Sequence, residues 1–406
     1  MKDYFDFVPL LLVVLVTFLV PLLVSHVRWI RVPTMAGEII AGIVIGENGL
    51  GWVRPNTLLN ILSLLGFAYL MFLSGLEVRF DIIFANPGES IDTLRKRLSK
   101  PLYIGVMVFL ATLICAFVGS LVLWEFTPQS DPWLLTLILS TTSLGLVMPV
   151  LKESKLVTSA YGQILLVSAV VADFATMLLF SFYVVLHTKG LTPEILLFLL
   201  LFGAFVTAYR FVMVARRRFP GIALFRGLAA ASSHMDLRGA IAVAIAFIAL
   251  AESLGVEMIL GAFLGGALIS VLSDKPPSDL HHRLDAIGYA FFVPIFFVMM
   301  GVRTDIGAVF ESSRSMLLVP LLLFAAYFAK TVPALFFQLV YDFRRSLAAG
   351  ILLSSRLSLI IAVSAIGLEM GRIGNTTNSA IVVVAIITCI VSPIMFNRIL
   401  GLEEKA

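Results

Sequence analysis

Ile164-Leu-Leu-Val-Ser-Ala-Val-Val-Ala-Asp-Phe-Ala-Thr-Met-Leu-Leu-Phe-Ser-Phe-Tyr-Val-Val-Leu186 is an apolar run long enough to span a bilayer as a helix, with Asp173 near its middle. A carboxylate at that depth costs roughly 2.5–3.5 kcal/mol to insert, so such groups are paired or face a water-filled cavity. An acid held there marks a functional site by default. The rest of the chain fits that setting. Of its 406 residues 60% are hydrophobic and only 13% charged, about half the charged share of a soluble protein. Mean hydropathy is +1.04. The chain reads as an all-α polytopic membrane protein without a soluble core.

Apolar runs separated by polar or Gly/Pro breaks predict thirteen transmembrane spans, over 8–27, 33–50, 57–76, 101–124, 132–151, 162–186, 193–214, 238–252, 256–273, 284–302, 316–341, 346–368 and 377–399. The first is too long for a signal-peptide core and lacks a small-residue cleavage site, which predicts a retained helix. With the N-terminus outside and the C-terminus in the cytoplasm, the outer loops carry only Lys2, Arg54, Lys189, Arg303, Arg314 and Arg372. Arg238, Lys330 and Arg356 lie in spans or at their edges, and the other twenty of the 29 cations face inward. That asymmetry obeys the positive-inside rule.

The chain also echoes itself. Ala36-Gly-Glu-Ile-Ile-Ala-Gly42 aligns with Leu260-Gly-Ala-Phe-Leu-Gly-Gly266, and the third span ends Gly75-Leu-Glu-Val-Arg-Phe-Asp81 where the tenth ends Gly301-Val-Arg-Thr-Asp305. Ser140-Thr-Thr-Ser143 interrupts the fifth span as Ser354-Ser-Arg-Leu-Ser358 interrupts the twelfth. Spans two to six thus correspond to nine to thirteen. The offset of seven spans is odd, so the two five-helix repeats, about 33–186 and 256–399, cross the membrane in opposite senses. Inverted repeats with matching broken helices are the sequence sign of a secondary transporter with its site near the midplane. One transporter domain, 1–406, follows.

Three ionisable residues fall close to mid-membrane: Asp173, Lys330 and Arg356. Intramembrane charges commonly pair with one another or with backbone carbonyls, and packing is the role expected of the two cations. For Asp173 the expected role is to hold a proton or an alkali cation, never both. Burial disfavours a charged carboxylate and a neighbouring cation favours it, so the two ligands compete for one site. Thr141, Thr142 and Ser143 follow Ser140 and precede Gly145 and Pro149, a pattern that breaks a helix and exposes carbonyl and hydroxyl oxygens, hard ligands for an alkali ion. In the second break, Arg356 is expected to satisfy orphaned carbonyls. Glu38 and Glu77 read as interfacial or helix-orienting residues, with an access funnel as the other role open to them. Pro294, Pro333 and Pro393 predict kinks. Cys115 and Cys389 form no disulfide framework or metal pattern, and no cofactor is called for. His-Glu-x-x-His, Gly-x-Ser-x-Gly and Walker motifs are all missing, so no enzymatic activity is read.

Ala36–Gly46, Phe72-Leu-Ser-Gly-Leu-Glu77, Gly261–Gly266 and Phe292-Val-Pro-Ile-Phe-Phe297 together resemble the monovalent cation:proton antiporters, in the branch of bacterial sodium/proton antiporters and potassium-efflux transporters. The resemblance covers nearly the whole chain. It implies a homodimer in a bacterial-type plasma membrane, with a dimerisation domain and a mobile core domain containing two crossed broken helices, working by elevator-type alternating access. Asp173 matches the family's ion-carrying aspartate, Thr141 and Thr142 fall in the first crossing helix, Arg356 falls in the second, and Lys330 matches a basic core residue. The partners implied are Na+ or K+, H+ and the lipid bilayer, with no nucleic acid. Two departures stand out. Ala172 replaces the acid that precedes the aspartate in electrogenic members, which favours electroneutral exchange and leaves Lys330 without that partner. The sequence ends at Ala406, without the cytosolic nucleotide-binding domain of potassium-efflux relatives, so that regulation is expected to be either absent or supplied by a separate regulatory subunit. A cation channel using the same aspartate, or a transport-inactive structural protein, are the other classes this pattern allows.

Overall fold

A computed structural model of the protein describes residues 7–26, 33–77, 101–157, 159–189, 195–218, 234–254, 256, 258–272, 279–310 and 313–401. Among them there is no strand. Helix is what a bilayer enforces, because a spanning segment must satisfy its own backbone. The helices are α1 (Phe7–His26), α2 (Thr34–Ile45), α3 (Thr57–Leu76), α4 (Pro101–Trp124), α5 (Pro132–Ser140), α6 (Leu144–Glu153), α7 (Ala160–Lys189) and α8 (Ile195–Arg218). After them come α9 (Met235–Ser253), α10 (Met258–Leu272), α11 (Asp279–Ile287), α12 (Val293–Arg303), α13 (Ser313–Thr331), α14 (Phe343–Leu353), α15 (Ser358–Glu369) and α16 (Asn375–Leu400). Every one of the thirteen apolar runs contains helix. Eight helical stretches are long and apolar enough to cross a membrane, and the bent pair α14–α15 makes a ninth. Helices α2 and α10 are apolar but shorter. Arg28, Arg31, the basic stretch Arg79–Lys100, Arg226, Lys275 and Lys405, all placed inside by charge, lie outside the described residues.

Helix ends follow local chemistry. Asp131 caps α5 by accepting from the backbone N–H of Trp133 at 2.8 Å, with Pro132 in the first turn, where its missing N–H costs nothing. Pro294 follows a π-helical stretch, Gly288–Phe292, and Pro333 opens a 3-10 segment, Pro333–Leu339. Both irregularities accommodate a residue that cannot donate to the helical ladder. Pro393 differs: α16 continues past it to Leu400.

The described residues divide into two compact units. The first takes 1–57, 85–180 and 297–406, and the second takes 58–84 and 181–296. In the first, α4 packs on α5 and α13, while α16 packs on α13, α14 and α15. Helix α2 meets α12 so closely that a Cβ on Gly42 would lie 2.1 Å from the Val298 carbonyl oxygen. In the second unit, α9 packs along α10, and α10 meets α3 in the same manner. There a Cβ on Gly266 would lie 1.9 Å from the Phe72 carbonyl oxygen. Only glycine permits either approach.

Two buried acids were not anticipated. Glu38 is 3% exposed on the face of α2 that carries Ala36, Ile39 and Gly42. Its side chain is thus packed inside the protein, and Asp173 is not the only carboxylate buried in an apolar helix. The cause is the crowding of α2 against α1 and α12, which leaves that face no route to the surface. In the second unit, Asp236 in the first turn of α9 is buried and ion-paired to Arg283 of α11.

Candidate ion site

The hydroxyl-rich interruption ends α5 at Ser140 and starts α6 at Leu144. Ser140 Oγ donates to Leu137 O at 2.8 Å and Thr141 Oγ1 to Ile138 O at 2.8 Å, closing the last turn of α5 on itself. The second interruption, 354–357, separates α14 from α15 with a bend of 45°. Its serines do the same: Ser354 Oγ donates to Gly350 O at 2.8 Å and Ser355 Oγ donates to Leu352 O. Such back-bonding competes with the ladder and ends helices cheaply.

The two breaks meet. The Ser143 N–H donates to Ser355 O at 3.2 Å, and Thr142 Oγ1 reaches Leu353 O at 3.4 Å. Lys330 Nζ, on α13 and 2% exposed, donates to Ser140 O and to Thr142 Oγ1, each at 2.7 Å. Arg356 is fully buried; its guanidinium donates to Ala326 O at 2.7 Å and to Ile138 O at 3.5 Å. Arg356 was expected to serve carbonyls of its own break, but it serves α13 and the facing helix instead. Both cations therefore sit on the carbonyl end of α5, where the helix dipole favours positive charge.

Asp173 lies on α7 with 8% exposure, beside the equally buried Ala172. Lys330, on α13, belongs to the same unit. Among the described residues, no ion pair within 4.0 Å joins the two, because the ammonium is committed to the α5 break. The link from α7 to that break is Thr176, whose hydroxyl lies 3.3 Å from Ser140 Oγ. Asp173, Thr141, Thr142, Ser143, Lys330 and Arg356 thus fall in one unit around two touching breaks. Glu38 lies in the same unit on α2, and half-buried Glu77 ends α3 in the other. Sequence reading passed over Thr176, although its position one turn beyond Asp173 was signal enough to test it.

An all-helical membrane fold whose interrupted helices meet near a buried carboxylate has the architecture of a secondary transporter. The chain belongs to the sodium/hydrogen exchanger family, whose transmembrane profile matches residues 14–401. It is 37% identical over 405 residues to YjbQ of Bacillus subtilis, which carries a provisional Na+/H+ antiporter name; the match covers 98% of this chain and 63% of that relative's length. It is 27% identical over 378 residues to a Na+/H+ antiporter of Enterococcus hirae, covering 92% of this chain and 93% of the other. Its fold resembles the solved sodium proton antiporter MjNhaP1 of Methanocaldococcus jannaschii, with TM-score 0.58 at 14% identity over 95% of this chain and 94% of that one.

Proposed function

We propose that the protein is a secondary antiporter that exchanges Na+ or K+ for protons across the plasma membrane, one for one, by elevator-type alternating access. The observation that carries this reading is the gathering of Asp173 and the two meeting breaks in one compact unit. A buried carboxylate that can hold either a proton or an alkali ion, with hydroxyl and carbonyl oxygens close by, supplies the competition that exchange requires. Thr141, Thr142 and Ser143 are the neighbouring oxygens, and Lys330 and Arg356 are the charges that hold the breaks together. Thirteen spans in two inverted repeats, with the N-terminus outside, complete the arrangement. The reciprocal glycine crossings support the repeats. Helix α2 pairs with α12 and α10 pairs with α3, so each crossing joins the first helix of one repeat to the second of the other. A homodimer is the assembly proposed.

Everted vesicles carrying a pH-sensitive dye test this. Addition of Na+, Li+ or K+ dissipates the proton gradient in wild type, an imposed voltage leaves the rate unchanged, and Asp173→Asn abolishes the response. Full activity in that variant would sink the assignment. Voltage-driven current without proton coupling would make the protein a channel. Voltage-sensitive exchange would bring Glu38 in as a second proton carrier.

A further inference from the structure

We infer that Thr176 supplies a neutral oxygen ligand to the transported cation, beside Asp173, and so helps to set the cation affinity of the site. The inference rests on the antiporter reading above and names a further binding residue for it.

The argument begins with where hydroxyl protons go. Buried hydroxyls in apolar helices normally bond back to the preceding turn. Thr112 does so to Val108 O, Ser168 to Ile164 O, Thr304 to Met300 O and Thr331 to Tyr327 O, all at 2.7–2.8 Å. Thr176 does not. It is fully buried, and among the described residues its one hydrogen bond is the 3.3 Å contact with Ser140 Oγ. The shorter bond from Ser140 to Leu137 O favours one direction for that contact. Ser140 has a single hydroxyl proton and gives it to Leu137 O, which can only accept. With that proton given to Leu137 O, Thr176 donates to Ser140 and keeps both lone pairs of its Oγ1 uncommitted.

Those lone pairs sit beside the proposed carrier. Residues three apart on a helix are neighbours, with Cβ atoms about 5–6 Å apart, so Asp173 and Thr176 share a face of α7. Two hydroxyl oxygens of the break are engaged elsewhere, which leaves Thr141 and Ser143 as its open ones. Thr142 Oγ1 accepts from the Lys330 ammonium, and Ser140 Oγ accepts from Thr176. A cation held by Asp173 would find in Thr176 an oxygen oriented by Ser140 and not already in use. The hydrogen bond from the break to α7 runs through Ser140, which sets the rotamer of Thr176.

The test titrates Na+, Li+ and K+ in vesicles at fixed pH for wild type, Thr176→Val, Thr176→Ser and Asp173→Asn. Removing the hydroxyl while keeping the shape should raise the cation KM about tenfold, equivalent to roughly 1.4 kcal/mol, with maximal rate within about twofold. Thr176→Ser should restore the wild-type KM. An unchanged KM in Thr176→Val, or equal impairment in Val and Ser variants, overturns the assignment and leaves Thr176 a packing residue. Should Thr176→Val fail to assemble, Thr176→Ala compared with Thr176→Ser decides the same question. The Asp173→Asn arm separates the two levels. If it stays active, the carrier reading itself fails; if it is inactive while Thr176→Val keeps a normal KM, only the role of Thr176 falls.

Discussion

The two helix breaks look alike in sequence and work differently. Each opens with serines whose hydroxyls fold back on the preceding turn. The break between α5 and α6 then presents oxygens to neighbours: its Ser140 carbonyl and Thr142 hydroxyl accept from Lys330, and its Ser140 hydroxyl is hydrogen-bonded to that of Thr176. The break between α14 and α15 presents a cation, Arg356, and spends it on the facing helix. The glycine crossings make the contrast informative. There the same close backbone approach recurs in both units, with hypothetical Cβ clashes near 2 Å in each. Likeness survives where only packing is asked for and is lost at the breaks proposed to handle ions.

Arg356→Met should give the largest effect, because it removes the cation from the second break. It keeps most of the volume but removes the charged donor to Ala326 O and Ile138 O, and a hydrogen bond from a charged group contributes about 1.5–3 kcal/mol. A thermal melt in detergent should fall by many degrees, and transport should be lost with it. A variant as stable as wild type would show that the guanidinium is retained for ion handling and not for packing.

Lys330→Met is expected to come next. It frees Ser140 O and Thr142 Oγ1, at a cost of about 1–3 kcal/mol. It also removes a positive charge that repels an incoming cation, a repulsion strengthened by the low-dielectric interior. The cation KM should therefore fall severalfold at alkaline pH, where protons compete least. A KM that rises would mean that the ammonium helps to build the cation site.

Much of this was legible from the chain because bilayer helices are a one-dimensional signal. The run 57–76 became α3 without a shift, and 101–124 became α4. The hydroxyl clusters located both breaks to within a residue, since back-bonding hydroxyls and a lack of apolar continuity are local properties. What depended on packing was hidden. Glu38 shows in sequence only its distance from a loop, and the α2–α12 crossing buries its side chain. Asp236 gave no sign that it would find Arg283, 47 residues away in sequence. The antiporter resemblance put Asp173 in the same core as the breaks, but the partner of Lys330 could not be read from it. That partner is the α5 carbonyl end, and no periodicity records which way an ammonium turns.

The smallest effect provides the sharpest test of the asymmetry. Thr142→Val and Ser355→Ala each delete one buried hydroxyl from a break, so a purely structural account treats them alike. Side-chain hydrogen bonds between membrane helices average about 0.6 kcal/mol, so neither variant should lose much stability. Thr142 nevertheless accepts the Lys330 ammonium, and its loss should shift the cation KM about threefold. Ser355 bonds only within its own turn, to Leu352 O, and its backbone carbonyl, which receives the Ser143 N–H, is untouched by the substitution. Ser355→Ala should leave KM, maximal rate and melting temperature where they were. Equal shifts in both variants would mean that the second break also offers oxygens to the ion, and the division of labour between the breaks would have to be abandoned.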